Sequence, residues 1–127
     1  KPTPTPLPTR TFDDEEIAKI IKTTASEITV KMDFSGLSTD AEIVRAFKDL
    51  RTWASTQQTR IGVFTPSICT KQASETFSDA MDDLQELATT FIEWVAEGAV
   101  GDPGTSEMAT NVGTKLASAI TQLEAHC

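Results

Sequence analysis

The stretch that decides the fold is CTKQASETFSDAMDDLQELATTFIEWV, residues 69–95. Its apolar residues recur at intervals of three or four: Cys69, Ala73, Phe77, Ala80, Leu84, Leu87, Phe91 and then Trp94 or Val95. This spacing follows the helical period of about 3.6 residues and puts these side chains on one face. We therefore predict a long amphipathic helix that begins at Thr65-Pro66, because Thr caps helices and Pro is favoured at the first helical position.

The remaining chain after Thr11 predicts three more helices. One opens at Asp13 and is broken by DFSGL at 33–37, and the next opens at the capping-box pattern of residues 39–42. The last begins near Ser106, after the glycine-rich stretch 98–105. The apolar positions of these helices are Ile17, Ile21, Ala25, Ile28 and Met32; Ile43, Phe47, Leu50, Ala54 and Ile61; and Ala109, Val112, Leu116, Ile120 and Leu123. No stretch alternates with period two, so the sequence predicts an all-α, up-and-down antiparallel bundle of four main helices.

Length and composition predict one domain behind an extended arm. The chain has 127 residues, of which 39% are hydrophobic, enough for a single core. Residues 1–11 form a Pro/Thr-rich arm or linker in our prediction, because prolines at alternate positions favour polyproline II. The alternative is a strap along the domain with Leu7 in a groove. Residues 12–127 are the predicted bundle domain, and no apolar run approaches the roughly 18 residues of a membrane span.

Two cysteines, Cys69 and Cys127, are too few for a disulfide-rich scaffold. If the last two helices are antiparallel, the start of one lies beside the end of the other. We therefore expect a Cys69–Cys127 disulfide, and two buried thiols are the alternative. The bridge would close a loop of 58 residues, which the loop-entropy model values at about 4 kcal/mol. The acidic, Thr-rich composition, with 20 Thr, favours a secreted protein, including one associated with a cell wall.

Charge is unevenly distributed along the chain. The formal net charge is -8, and residues 65–127 carry all of this excess. An acidic chain is a poor ligand for nucleic acid, so we expect no nucleic-acid partner. Carboxylates recur on one strip of the third predicted helix, at Glu75, Asp79, Asp82, Asp83 and Glu86. This strip is either a solvated face or a surface for a basic protein partner. A metal site is the weakest reading, because no calcium-binding loop is present and His126 is the only histidine.

Basic residues follow the polar face of the second predicted helix, at Arg45, Lys48, Arg51 and Arg60. Such a strip could hold an anionic substrate, but the chain lacks the density of buried charged groups that an enzyme site of this kind needs. We expect these residues to pair instead with Asp49, Glu42 or the acidic third helix.

The core offers the remaining functional signal. Large residues share it with many Ala and Thr residues, Thr24 among them, and this mixture either packs closely or leaves an apolar cavity for a ligand. The cavity candidates are Ile21, Ile28, Phe47, Leu50, Phe77, Leu84, Leu87, Phe91, Leu116 and Ile120. No nucleophile motif of the G-x-S-x-G type is present. We therefore predict no catalytic residues, no metal and no cofactor.

Two segments, Asp33–Leu37 (DFSGL) and Asn111–Ile120 (NVGTKLASAI), resemble the fungal hydrophobic-surface-binding and cell-wall galactomannoprotein helical domains. Members of that family look like binders of fatty acids or apolar surfaces inside a helical bundle. Ser78–Leu84 (SDAMDDL) and the sequence ASA at 117–119 also look like plant pectin-methylesterase or invertase inhibitors, which carry an N-terminal cysteine hairpin that this chain lacks. Neither resemblance implies particular functional residues here.

These observations predict a secreted, monomeric, non-enzymatic domain that binds a fatty acid or similar lipid between its helices. The alternative function is a protein-interaction module, either a secreted effector or an enzyme inhibitor, that uses the acidic face of the third helix.

Overall fold

A computed structural model describes residues 9–125, and the described chain is all-helical, without strands. Its helices are α1 (Phe12–Lys31), α2 (Asp40–Gly62), α3 (Lys71–Ala96) and α4 (Thr105–Ala125). The prediction of four main helices is confirmed. The structure of the arm at 1–8, and Cys127 with its predicted bridge, lie outside the described residues. Among the described helices, none combines the length and the apolar character that crossing a membrane requires.

Hydrogen bonds between helix ends establish that neighbouring helices run antiparallel. Asp13, near the start of α1, accepts a 2.8 Å bond from the backbone N–H of Thr65, which follows α2. Arg10, just before α1, donates a 2.5 Å bond to the carbonyl of Leu123, near the end of α4. The starts of α1 and α3 and the ends of α2 and α4 therefore meet at one end of the molecule, which we call the N-terminal end.

The helix boundaries match the sequence signals in three cases and differ in one. α1 begins at Phe12, one residue before the predicted start, and Thr11 rather than Asp13 caps it, in a capping box with Asp14. The Thr39 hydroxyl caps α2 by accepting from the N–H of Glu42. α4 begins at Thr105, one residue from its predicted start. α3 begins at Lys71, so the start predicted at Thr65-Pro66 is wrong.

The late start of α3 has a physical cause at the N-terminal end. The backbone N–H of Ser67 donates to Asp14 at 2.9 Å, and the Thr70 hydroxyl donates to the same carboxylate at 2.5 Å. Because these groups are held by α1, residues 67–70 form a separate turn, with the N–H of Thr70 bonded to the carbonyl of Ser67 at 3.2 Å. Cys69 lies in this turn, buried to 1% exposure, rather than on α3.

Asp14 is a fully buried carboxylate that joins α1 to this turn. It accepts hydrogen bonds from the backbone N–H groups of Thr11 and Ser67 and from the hydroxyls of Ser67 and Thr70. Burial alone would raise the pKa of Asp14, but these four donors outweigh it and hold the pKa far below its ordinary value. The ionised form is therefore part of the native structure.

The core is one apolar cluster that draws on all four helices. α3 is its central element, because it packs extensively on both α2 and α4, whereas α1 approaches its neighbours over fewer residues. At the end opposite the N-terminal end, aromatic rings close the core. Phe47 of α2 stacks between Phe34 of the α1–α2 connection and Phe91 of α3, with ring centroids 4.3 and 4.1 Å apart. Stacked aromatic pairs stabilise a core beyond their buried area.

Candidate functional site

The ten cavity candidates from the sequence lie together in the core. Six of them are at most 3% exposed: Ile21, Leu50, Phe77, Leu84, Leu87 and Leu116. Phe47 is 6% exposed, and Ile28, Phe91 and Ile120 are partly buried against the same cluster. None of these ten side chains lines any of four clefts on the described surface. A ligand site in these clefts is therefore built from other residues.

One cleft combines an apolar floor with basic side chains. It has a volume of about 360 Å³ and lies between α1 and α2 near the N-terminal end. We call it the α1–α2 groove, and it is lined by Glu16, Lys19, Ile20, Thr59, Arg60, Val63 and Phe64. Val63 is 73% exposed, so its side chain contributes apolar surface to this groove. The groove thus offers apolar surface to solvent beside two cationic groups.

Arg60, in this groove, is held by a buried polar pair. Its Nη1 donates a 3.0 Å hydrogen bond to Oε1 of Gln57, and Gln57 is only 5% exposed. The same Oε1 accepts from the hydroxyl of Thr24, which is 1% exposed, at 3.4 Å. The chain Thr24–Gln57–Arg60 therefore links the interior of α1 to a guanidinium at the surface. Lys19, on the other wall, forms an exposed 3.3 Å ion pair with Glu16.

A second cleft, of about 490 Å³, lies on the outer side of α2 facing α3. We call it the α2–α3 groove, and it is lined by Arg51, Thr52, Ser55, Thr56, Thr59, Arg60 and Gln85. Four of these side chains carry hydroxyls, two are arginines and none is acidic. Thr59 and Arg60 line both grooves, so the two are contiguous across α2.

The basic strip does not pair with carboxylates as predicted. Arg51 donates to the hydroxyl of Thr89 at 3.1 Å, and Arg60 bonds the amide of Gln57. Within the described part of the chain, ion pairs form only at Lys19–Glu16 and Lys115–Asp83. The prediction was wrong because neutral acceptors on α2 and α3 take the arginine N–H groups. In the acidic strip, Asp83 pairs with Lys115 of α4 instead.

The acidic strip of α3 is exposed over most of its length. Glu75, Asp79, Asp82 and Glu86 are exposed, and Asp83 forms a 2.6 Å ion pair with Lys115 of α4. The hydrogen bond that Lys115 donates to Asp83 raises the pKa of Lys115, and the charges of Asp79 and Asp82 add to the effect. Asp82 also accepts a 2.7 Å bond from Gln58. No cluster of three potential metal-ligating side chains occurs among residues 9–125, so this strip has no metal-site geometry there.

Sequence reasoning did not identify the α1–α2 groove, although the sequence carries two of its signals. The apolar stripe of α2 thins at Gln57, and Thr24 falls near the stripe of α1. These two positions form the buried polar pair that holds Arg60. Exposure of Val63 depends on how the ends of α1 and α2 are spaced, which periodicity does not report. Comparison with protein-family models, curated proteins and solved structures found no match to this chain.

Proposed function

We propose that the protein is a secreted, non-enzymatic binder of an amphipathic anion such as a fatty acid, and that the α1–α2 groove is its site. This proposal keeps the lipid-binding function predicted from the sequence and moves it from the interior to the surface. The observation that carries it is the combination of exposed apolar surface at Val63 with the guanidinium of Arg60, held by buried Gln57, in one cleft.

The physical argument concerns both parts of such a ligand. Burying acyl methylenes against Ile20, Val63 and Phe64 removes apolar surface from water, at about 0.8 kcal/mol per methylene. Arg60 and Lys19 would bond a carboxylate, and charge-assisted bonds of this kind are stronger than neutral ones. The groove volume of about 360 Å³ is near the lower end of small-molecule sites, roughly 300–1,000 Å³, so a single acyl chain suits it.

Binding is tested by titrating the protein into a fluorescent fatty acid below its micelle concentration, together with native mass spectrometry of gently purified protein. We expect saturable 1:1 binding. Val63→Asp should weaken it at least tenfold, because a carboxylate then faces the acyl chain. Val30→Asp is the matched control, since Val30 is 75% exposed and near the end of α1 but lines neither groove. Absence of binding, or equal effects of the two substitutions, contradicts the proposal.

A second candidate function is a protein-interaction module that uses the acidic strip of α3. It is supported by Glu75, Asp79 and Glu86, which are exposed and form no ion pair with described residues. Such carboxylates attract a basic partner without first having to release an internal one.

Charge reversal of Glu75, Asp79 and Glu86 tests this function, because the substitutions leave the Lys115–Asp83 ion pair in place. A pull-down followed by identification should recover a basic protein with the native chain and lose it with the triple variant. Reversal at Glu15, Glu27 and Asp40, which are exposed on other helices, is the control. Recovery of the same partner by both variants contradicts an acidic-strip interface.

We also propose a Cys69–Cys127 disulfide in a monomeric, secreted chain. It is supported by the position of Cys69 at the N-terminal end of the bundle, where the described end of α4 also lies. The resemblance to the fungal hydrophobic-surface-binding and galactomannoprotein domains stays a hypothesis.

A further inference from the structure

We propose that the ligand is a single-chain phospholipid with a hydroxyl-bearing headgroup, of the lysophosphatidylglycerol type. Its acyl chain would lie in the α1–α2 groove, its phosphate at Arg60, and its headgroup in the α2–α3 groove. This inference rests on the proposed function, because it uses the same apolar groove for the chain and adds a second groove for the headgroup.

The first argument is continuity between the two grooves. Thr59 and Arg60 line both, so a ligand can pass from one to the other across the outer face of α2. Residues 52, 56, 59 and 63 recur at helical spacing and form one strip along that face. Along this strip the hydroxyl side chains are followed by the apolar side chain of Val63, and the guanidinium of Arg60 lies beside this change. A ligand that changes from polar to apolar across an anionic group matches this order.

The second argument is the hydrogen-bonding chemistry of the headgroup groove. The hydroxyls of Thr56 and Thr59 donate to the carbonyls of Thr52 and Ser55 at 2.9 and 3.1 Å. Each hydroxyl has one proton, so the lone pairs of these oxygens remain as acceptors. They suit a ligand that donates hydrogen bonds, as glycerol or another polyol does. A bare fatty acid has no group that would use them.

The third argument is charge. Arg51 and Arg60 lie nine positions apart on α2, about 13 Å along the helix axis, and no acidic residue lines the groove that contains both. Guanidinium groups bind phosphate with two parallel N–H bonds, which makes them suitable for a phosphodiester. The chain as a whole carries -8, which repels an anionic bilayer. These charges favour a dissolved single lipid over a membrane surface.

The test compares ligands of equal chain length below their micelle concentrations by isothermal titration calorimetry. The ligands are a lysophosphatidylglycerol, the corresponding fatty acid, and sn-glycerol 3-phosphate as the headgroup alone. We expect the lysophospholipid to bind at least tenfold more tightly than the fatty acid, and the soluble headgroup to bind far more weakly than either.

Arg51→Gln and Thr56→Val should each reduce the ratio of lysophospholipid to fatty-acid affinity at least threefold. Arg45→Gln, which removes the same charge from the same helix outside both grooves, should not.

The outcomes separate this inference from the proposed function. If the fatty acid binds as tightly as the lysophospholipid and Arg51→Gln leaves the ratio unchanged, the headgroup assignment is overturned and the fatty-acid function stands. If neither lipid binds, both proposals fail. If glycerol 3-phosphate binds as well as the lipid, the site takes a free phosphorylated polyol. If the protein sediments with phosphatidylglycerol vesicles but does not bind the monomer, the ligand is a membrane surface.

Discussion

Replacing Asp14 by Asn should destabilise the protein severely, although the side chain changes by one atom and catalyses nothing. Asp14 is fully buried, and each of its carboxylate oxygens accepts from one backbone N–H and one hydroxyl. In either orientation, the amide of an Asn would direct its NH₂ at one of the two backbone N–H groups, of Thr11 or Ser67. The hydroxyls of Ser67 and Thr70 can rotate to accept, but a backbone N–H cannot.

The expected loss of unfolding free energy follows from this geometry. One charged hydrogen bond is lost, a part-buried backbone N–H loses its acceptor, and the other three bonds lose their charge assistance. With about 2 kcal/mol for the first effect and up to about 1 kcal/mol for each remaining bond, the loss is about 3–5 kcal/mol. For a chain of this size that lowers the Tm by about 10–20 °C.

The pH dependence gives a second, independent measurement. The pKa of Asp14 in the folded state lies below its ordinary value of 3.8, so its stabilisation is present above that value and is lost as the pH falls. Between pH 5 and pH 3 the native protein should lose about 1 kcal/mol through this group, and Asp14→Asn should not. Urea unfolding followed by circular dichroism at both pH values measures the difference.

Asp13→Asn is the matched control. Asp13 is the adjacent carboxylate and also bonds the α2–α3 connection, but it accepts a single exposed hydrogen bond, from the N–H of Thr65. We expect a loss of at most about 1 kcal/mol there. Equal losses for the two substitutions, or an Asp14→Asn variant with the native pH slope, would refute the reasoning.

Three further predictions concern the proposed disulfide, the core and the surface. Non-reducing mass analysis should find a Cys69–Cys127 bridge, and reduction should cost about 4 kcal/mol or less; labelling of both thiols in the native protein would disprove it. Leu84→Ala, at a fully buried position, should cost about 2–5 kcal/mol in urea unfolding; a loss below 1 kcal/mol would show that the centre of α3 is not tightly packed. The raised pKa of Lys115 should fall toward its ordinary value in Asp83→Asn, measured by NMR titration of Nζ, and an unchanged value would exclude Asp83 as its main cause.

The sequence was sufficient for the helices because local rules govern them. Apolar spacings of three and four predicted all four helices, and most of their members, Leu84 and Leu116 among them, are buried, while the others are partly buried. The cap at Thr39 and the break at Gly36, whose φ of 88° favours glycine, are also local signals. Antiparallel packing then follows from short connections between long helices.

Tertiary structure alone decided which polar groups meet. By its position Asp14 is an ordinary first-turn acid, yet it lies at the centre of a buried network because the α2–α3 connection, more than fifty residues later, brings three of its four donors to it. The same reason explains why α3 starts late and why Gln57 of α2 bonds Thr24 of α1. Hydrophobic burial repeats with the helix period and can be counted along the chain. A hydrogen bond between distant residues depends on the distance and orientation of two particular atoms, which only the packed helices fix.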